Sequence, residues 1–587
     1  MSREKVLTVL KKLALAPELY LALLLVIFVL IFTSLEPKIG NAVLVRGGEP
    51  VEFAWKHSEK MDKGEKFQVE FDFSAGSLGS WELHVIPDDC IEAVFVNGKE
   101  LELKDTAGIC DYRNGVKILA SDFPKAGNEN HFQINLRNKN GPAGIRLMAK
   151  AASLGSALLT LFTMLFLLAL FGCLLRRMQM PVPLLAAVLL ATLLHLSYAL
   201  ETNYEERTYD VKGHVEYVKY LVQTGETPEA GECWACYHPP VYYEVASLAW
   251  RLGAWLGVQP ERAVQWLSFL VSFFVLALGV QALRSVLHGK ALFVASLLWL
   301  FWPVNTLASA RIGNDILFYL GHVLCFFGAL RYLAGRDCKF LALSALGSWL
   351  AYWTKSTGFV TIAVFWLAFA LGYFPRESLK PRAGEVAPFV VAVLLLLSVA
   401  LQLGLSETDL VGNAGRLNSK LKVDSAAQNF LFFDFKDFLT TTAPSSWEDK
   451  GGRQFLLNYM AKTSLFGEFK VADTWLARTA ATFLCFSFLG LVVFALVGFW
   501  KKALNKIDVF VLAQGLLFLA AMVYFRAKYP YSCSSDFRYV VPALLSFVPF
   551  AGCGICGQAF SAKWRALGGI LAAAFLLSST LLALTYG

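Results

Sequence analysis

The chain has 587 residues, of which 56% are hydrophobic, 14% aromatic and only 17% charged, with a mean hydropathy of +0.52. A soluble multidomain chain carries about 25% charged residues, so these values exclude a purely soluble enzyme, a disordered protein and a disulfide miniprotein. The formal charge of +8 forms no nucleic-acid face, because the basic residues sit in short clusters between apolar runs, as topology signals do.

Crossing about 30 Å of hydrocarbon takes roughly 20 apolar residues. Thirteen runs approach that length, near 18–35, 152–175, 182–200, 263–283, 291–309, 316–333, 340–354, 357–374, 386–404, 476–500, 508–526, 539–557 and 567–585. The expected fold is a polytopic α-helical membrane protein of about 13 transmembrane helices. The runs at 340–354 and 357–374 meet at Thr354-Lys355-Ser356-Thr357-Gly358 and also read as one broken helix. The run at 18–35 reads as an anchor after a cytoplasmic stretch 1–17. No small-residue cleavage site ends it, and Glu36-Pro37-Lys38 follows directly.

Orientation follows from Lys and Arg placement. With residues 1–17 inside, the inner segments carry basic pairs such as Arg176 and Arg177, Arg336 and Lys339, and Lys501 and Lys502. The short outer turns keep only Arg311, Arg526, Lys528 and Arg538. Segments 36–151, 201–262 and 405–475 are then extracytoplasmic, and a bacterial inner membrane with its periplasm is the expected location.

Segment 36–151 reads as a β domain. Apolar and polar residues alternate in Phe67-Gln68-Val69-Glu70-Phe71-Asp72-Phe73, in Trp81-Glu82-Leu83-His84-Val85 and in Phe132-Gln133-Ile134-Asn135-Leu136. Val94-Phe95-Val96 followed by Asn97-Gly98 marks a hairpin, since both turn residues tolerate positive φ. An eight-strand, jelly-roll-like β-sandwich is expected, either binding carbohydrate or acting as a spacer. Cys90 and Cys110 are expected to form a disulfide there, because an oxidising compartment favours such bonds. Cys233-Trp234-Ala235-Cys236 has the spacing of a redox pair or half a zinc knuckle. No second cysteine pair completes a metal site, so a loop-closing disulfide is expected.

Segment 201–262 carries the most chemistry. Val211, Val215, Val218 and Leu221 have helical spacing, and Asp210, His214 and Tyr217 fall near one face at i, i+4 and i+7. Tyr237-His238-Pro239-Pro240-Val241-Tyr242-Tyr243 then opens a second amphipathic stretch, with Pro-Pro well placed at a helix start. Two helices lying on the outer membrane surface are predicted.

This order of features resembles the GT-C integral-membrane glycosyltransferases, and within them the protein O-mannosyltransferases and the aminoarabinose transferase of lipid A. The family pattern Asp-x-x-x-aromatic-x-Glu, then Leu-x-x-Gly, reads here as Asp210, His214, Glu216, Leu221 and, with altered spacing, Gly225. A basic residue plus proline opening the second helix matches His238-Pro239. The resemblance covers roughly 182–587: a core at 182–404 with catalytic loop 201–262, the loop domain 405–475, and C-terminal helices in 476–587. The spans at 18–35 and 152–175 and the β domain lie outside it and look like an added module.

The resemblance implies transfer of a sugar from a polyprenyl-phosphate carrier to a glycan, lipid or protein acceptor, with inversion. A carboxylate must take the proton of the attacking hydroxyl, and Asp210 is the expected base. The leaving lipid phosphate needs cations, and His238, Arg311, Lys355 and Arg538 are the candidates. Lys355 interrupts an apolar stretch, which is expensive in a bilayer unless it is paired or lines a cavity. Arg538 closes Ser534-Ser535-Asp536-Phe537-Arg538-Tyr539 much as an Arg/Lys-Tyr feature does late in the family. His214, Glu216, Tyr217, Tyr242, Asn314, Asp315 and Glu468 are expected substrate contacts, Glu468 from a stretch around Lys462–Phe469 also seen in related transferases. A divalent cation would rest on Asp210 and His214. Expected partners are membrane lipids, the lipid-linked donor and its acceptor, with no nucleic acid. A lipid-linked-sugar flippase, an oligosaccharide ligase of the same fold class and a non-catalytic glycan-binding relative are the alternatives.

Overall fold

The computed structural model describes residues 37–373, 417–440 and 452–585, apart from short stretches at 48, 54–55, 76–80, 104–106, 111–114, 120–128, 140–141, 152–153, 418, 470, 473 and 559, with a few positions in 18–27 and at 390. The cytoplasmic stretch 1–17, most of the expected spans at 18–35 and 386–404, and part of the loop 405–475 lie outside the described residues. The chain divides into two units, Met1–Leu174 and Leu175–Gly587.

The first unit is built from antiparallel strands in two sheets. One sheet has the order β2-β1-β4-β9-β6-β7 and the other β3-β10-β5-β8. The strands are β1 (Lys38–Arg46), β2 (Glu49–Glu52), β3 (Lys56–Lys60), β4 (Lys66–Ser74), β5 (Trp81–Pro87), β6 (Cys90–Val96), β7 (Lys99–Glu100), β8 (Val116–Leu119), β9 (Glu129–Arg137) and β10 (Pro142–Ala151).

Period-two alternation puts Phe67, Val69, Phe71 and Phe73 of β4 on one face, where they share a core with Ile134 of β9 and Leu83 of β5. Phe71 pairs with Phe132 in register, and their rings stack at 5.1 Å. The β6–β7 turn has φ of 50° at Asn97 and 77° at Gly98, the double positive φ of a type I′ hairpin. Cys90 at the start of β6 is bonded to Cys110. The ten described strands exceed the eight expected. Three of the ten are short, charged edge strands, Glu-Pro-Val-Glu, Lys-His-Ser-Glu-Lys and Lys-Glu, whose sequences show no apolar alternation.

The second unit is mostly helical, and the chain enters it within α1 (Leu154–Arg177). Among the described residues six helices are long and apolar enough to cross a membrane: α2 (Val182–Glu201), α5 (Pro260–Leu283), α8 (Asp315–Gly335), α14 (Trp475–Lys501), α15 (Lys506–Lys528) and α17 (Ala562–Thr585). A seventh would be the pair α6 (Gly289–Leu300) and α7 (Pro303–Ser309), bent by 46°. The run at 291–309 is thus broken at Phe301-Trp302, because Pro303 lacks an N–H and is suited only to a helix start. The remaining helices are α3 (Val211–Thr224), α4 (Val241–Trp255), α9 (Cys338–Thr354), α10 (Phe359–Tyr373), α11 (Gln428–Leu431), α12 (Phe435–Thr440), α13 (Leu456–Phe466) and α16 (Leu544–Cys556).

The pair at 340–354 and 357–374 resolves into α9 and α10, separated at Lys355 by a 3₁₀ turn, Ser356–Gly358. The run at 539–557 begins as short 3₁₀ turns around Pro542 and becomes helical only at Leu544. Helices α8 and α9 pack backbone to backbone: a Cβ on Gly347 would come 2.3 Å from the Cys325 nitrogen. This close seam brings the start of α8 and the end of α9 together, where Asn314 Nδ2 donates to Thr354 O at 3.2 Å.

Phe132 is fully buried at the centre of the first unit's core. Phe132→Ala is expected to destabilise that unit by about 3–5 kcal/mol. In the full-length protein this should appear as earlier proteolytic cleavage within 37–151 than in the wild type.

Candidate active site

Helices α3 and α4 have 14 and 15 residues, too short to cross a bilayer. Helix α3 buries Gly213, His214, Tyr217, Val218 and Leu221 on one stripe. Asp210 is not inside this helix but is the residue before it, in the left-handed region at φ 50°, and its side chain makes no capping bond. That conformation costs a non-glycine residue on the order of 1 kcal/mol. It also frees the carboxylate to point away from the helix end. Asp210 Oδ1 accepts from the Trp234 indole N–H at 2.9 Å, and Oδ2 lies 3.8 Å from Arg538 Nη2.

A cavity of about 760 Å³ opens here. Its polar end holds Asp210, His214, His238, Asp315, Lys355, Glu468 and Arg538. Its apolar wall is formed by Phe359 and Val360 of α10 and by Phe518, Met522 and Phe525 of α15. Lys355 pairs with Asp315, which opens α8, where the helix dipole favours a carboxylate. Lys355 Nζ also stands 4.6 Å from the Tyr539 ring centre.

Arg538 is the hub of the polar end. Its Nη2 donates to the Tyr539 hydroxyl at 2.9 Å, its Nε lies 3.7 Å from Asp536 Oδ2, and its guanidinium stacks 4.1 Å from the Tyr209 ring centre. The Asp536 carboxyl also accepts from the Arg538 backbone N–H at 2.9 Å. Burial pushes the Asp536 carboxyl up, while the charge of Arg538 beside it pulls it back.

The two histidines stack with ring centres 5.9 Å apart. Burial lowers His214 to about 4, and lowers His238 well below its ordinary value with His214 adding to the effect. Burial thus favours the neutral form of the His238 ring. Its buried Nδ1 has no hydrogen-bond partner among the described residues. His214 Nδ1 is bonded to the Tyr243 hydroxyl at 2.8 Å.

Several sequence candidates stand elsewhere. Arg311 lies behind Tyr209, sandwiched 4.5 Å from that ring and 5.0 Å from Phe469, with Nε donating to Arg207 O; it does not line the large cavity. Tyr217 stacks on Tyr243 at 3.7 Å, and the Tyr242 hydroxyl accepts from the Gly313 N–H at 2.8 Å, so both brace the wall without lining it. Glu216 faces outward on α3. Asn314 lines the cavity, as does Glu468, whose carboxylate accepts from the Tyr459 hydroxyl. Tyr209, Trp234, Asp536 and Tyr539 are the site residues that sequence reasoning passed over. Trp234 could have been flagged by its position between two cysteines.

Among the described residues, no group of three or more His, Cys, Asp or Glu side chains is placed to hold a metal. Asp210 and His214 supply two donors, and each is already bonded to another side chain. This set does not fit a divalent cation.

Two outcomes follow from these contacts. Lys355→Met leaves Asp315 unpaired in a buried setting and should destabilise the fold by about 3–5 kcal/mol. The double variant Asp315→Asn/Lys355→Met should recover most of that loss, as read by thermal unfolding in detergent. His214 is held below its ordinary value, so the fold favours its neutral form. The associated stability is complete above about pH 6.5 and is lost as pH falls from there towards about 4. Hydrogen exchange in 211–224 should accelerate through that window, and less so in His214→Gln.

No family model matches the chain, and no curated protein matches it. Several solved structures are similar to it. The archaeal oligosaccharyltransferase AglB from Archaeoglobus fulgidus, in complex with an inhibitory peptide and a dolichol-phosphate, is 12% identical with a TM-score of 0.39, over 68% of this chain and 55% of that one. ArnT from Cupriavidus metallidurans, bound to undecaprenyl phosphate, is 12% identical with a TM-score of 0.41, over 68% and 74%. The arabinosyltransferase EmbB from Mycobacterium smegmatis is 11% identical with a TM-score of 0.38, over 97% and 62%. The chain thus spans about half the length of the archaeal enzyme.

Proposed function

We propose that the chain is an inverting glycosyltransferase, moving a sugar from a polyprenyl-phosphate donor to an acceptor hydroxyl at the periplasmic face of a bacterial inner membrane. The observation that carries this reading is the two-sided cavity. One end groups the carboxylates of Asp210, Asp315 and Glu468 with the cations of Lys355 and Arg538, and the other is an apolar wall between α10 and α15. Phe359 and Tyr524 on that wall are 54% and 60% exposed, so it opens sideways. A ligand matching both ends has a long hydrocarbon tail, an anionic head and a polar group beyond it. A lipid-linked sugar has that form.

In the proposed reaction the donor phosphate lies against Lys355 and Arg538, with its prenyl chain along Phe518, Met522 and Phe525. The acceptor hydroxyl oxygen attacks the anomeric carbon from the face opposite the phosphate. Asp210 takes the hydroxyl proton as the new C–O bond forms. The bond from the anomeric carbon to the phosphate oxygen breaks, and its electron pair leaves with the lipid phosphate. Lys355 and Arg538 stabilise the growing negative charge, which water would otherwise have to solvate. A single displacement inverts the centre.

The direction of the site is supported by charge placement. The cavity lies where α8 begins, where α9 ends and where α15 ends. Arg336 at the end of α8, Lys339 at the start of α9 and Lys506 at the start of α15 mark the opposite ends of the same helices. Basic residues flank the cytoplasmic ends of spans, and this supports a cavity that faces the other side.

The deciding experiment is Asp210→Asn, which keeps the shape and removes the base. Transfer should fall by at least about 100-fold, the lower range for loss of a general base, and one polyprenyl-phosphate sugar should accumulate by mass spectrometry of cell lipids. Turnover near wild type with no change in any such lipid would end this reading and favour transport.

A further inference from the structure

The loop between Cys233 and Cys236 is a ring closed by a disulfide. It is seated on the first turn of α3. A Cβ on Gly213 would fall 2.8 Å from the Trp234 Cβ and 3.1 Å from the Ala235 nitrogen, so the loop rests directly on the helix backbone. Ala235 and Cys236 are buried, and Ala235 O accepts from the His238 N–H at 3.0 Å. From this anchored ring the Trp234 side chain reaches back 24 positions to Asp210 and donates its indole N–H to Oδ1. Asp210 itself has a left-handed backbone and no capping bond, so its helix does not fix its carboxylate.

We propose that the disulfide-closed Cys233–Cys236 loop is the positioning device of this site, with Trp234 as the positioning residue that selects which oxygen of Asp210 accepts the proton. The inference rests on Asp210 being the base. The indole occupies Oδ1 and leaves Oδ2, 3.8 Å from Arg538, for the acceptor hydroxyl. The disulfide limits the ring to few conformations and thereby holds the indole on target. The same ring fixes the backbone entering His238, so one covalent closure places groups on both helices of the catalytic loop.

The test measures kcat and KM of transfer, using as donor the polyprenyl-phosphate sugar extracted from cells carrying Asp210→Asn. Three full-length variants are compared: Trp234→Phe, which removes only the N–H donor; Gly213→Ala, which lifts the loop; and Cys233→Ala/Cys236→Ala, which opens the ring. Each should lower kcat about tenfold with donor KM within about twofold, since the donor contacts stay in place while the base loses its alignment. If Trp234→Phe does not fold, the other two variants decide. Wild-type kcat in all three, with Asp210→Asn inactive, would overturn the inference and leave the base assignment standing. A loss of activity in all three with donor KM raised as much as kcat falls would make the loop merely structural and also overturn it. An active Asp210→Asn enzyme would overturn both.

Discussion

The polar end of the cavity depends on one buried cation. The Arg538 side chain is only 12% exposed, yet its guanidinium stays charged at any working pH. Removing such a charge from water is costly unless opposite charges and hydrogen bonds replace the solvent. Here the replacement comes from four sides: Asp210, Asp536, the Tyr539 hydroxyl and the face of Tyr209. These groups arrive from two chain segments, 209–210 and 536–539, which only the folded helices bring together. The planar fork of arginine suits this arrangement, because each edge meets a different acceptor while the flat face rests on a ring. A lysine would offer one point charge to all of them.

Around that centre the architecture separates two environments. The glycine-lined seam of α8 and α9 brings Asp315 and Lys355 together at one end of the bundle. The wall of α10 and α15 carries no charge along the stretch that faces the cavity. The division follows from local rules. Pro303 stops one helix and starts another, the 3₁₀ turn at Ser356–Gly358 interrupts α9 and α10, and the chain around Pro542 stays in short turns before α16. Each break frees backbone and polar side chains at a depth where regular helix would leave only apolar surface.

How much of this was legible in the sequence depended on whether a residue's reason was local. The strands at β4, β5 and β9 were readable because alternation is a local consequence of burying one face. The edge strands β2, β3 and β7 were not, since they are short, charged and show no apolar alternation. Lys355 stood out as a cation in an apolar run, and it does line the cavity. Arg311 looked equivalent, but its stacking between Tyr209 and Phe469 depends on contacts over 100 positions away. The i, i+4, i+7 spacing grouped Asp210, His214 and Tyr217, whereas the left-handed turn at Asp210 separates the first from the helix and Tyr217 turns to Tyr243. Trp234 left no periodic trace, because its role is set by a ring closure and not by a repeat.

The charged edge strands of the first unit bear on how these molecules behave as neighbours. The six-stranded sheet ends in Glu-Pro-Val-Glu on one side and Lys-Glu on the other, and one side of the four-stranded sheet ends in Lys-His-Ser-Glu-Lys. An unpaired strand edge is a template for another chain, and proline or like charges along it oppose that pairing. Chains held in a bilayer share an orientation and diffuse in two dimensions, so their exteriors meet far more often than those of free proteins at equal abundance. Edges of this kind let such domains crowd together without being stitched into a continuous sheet.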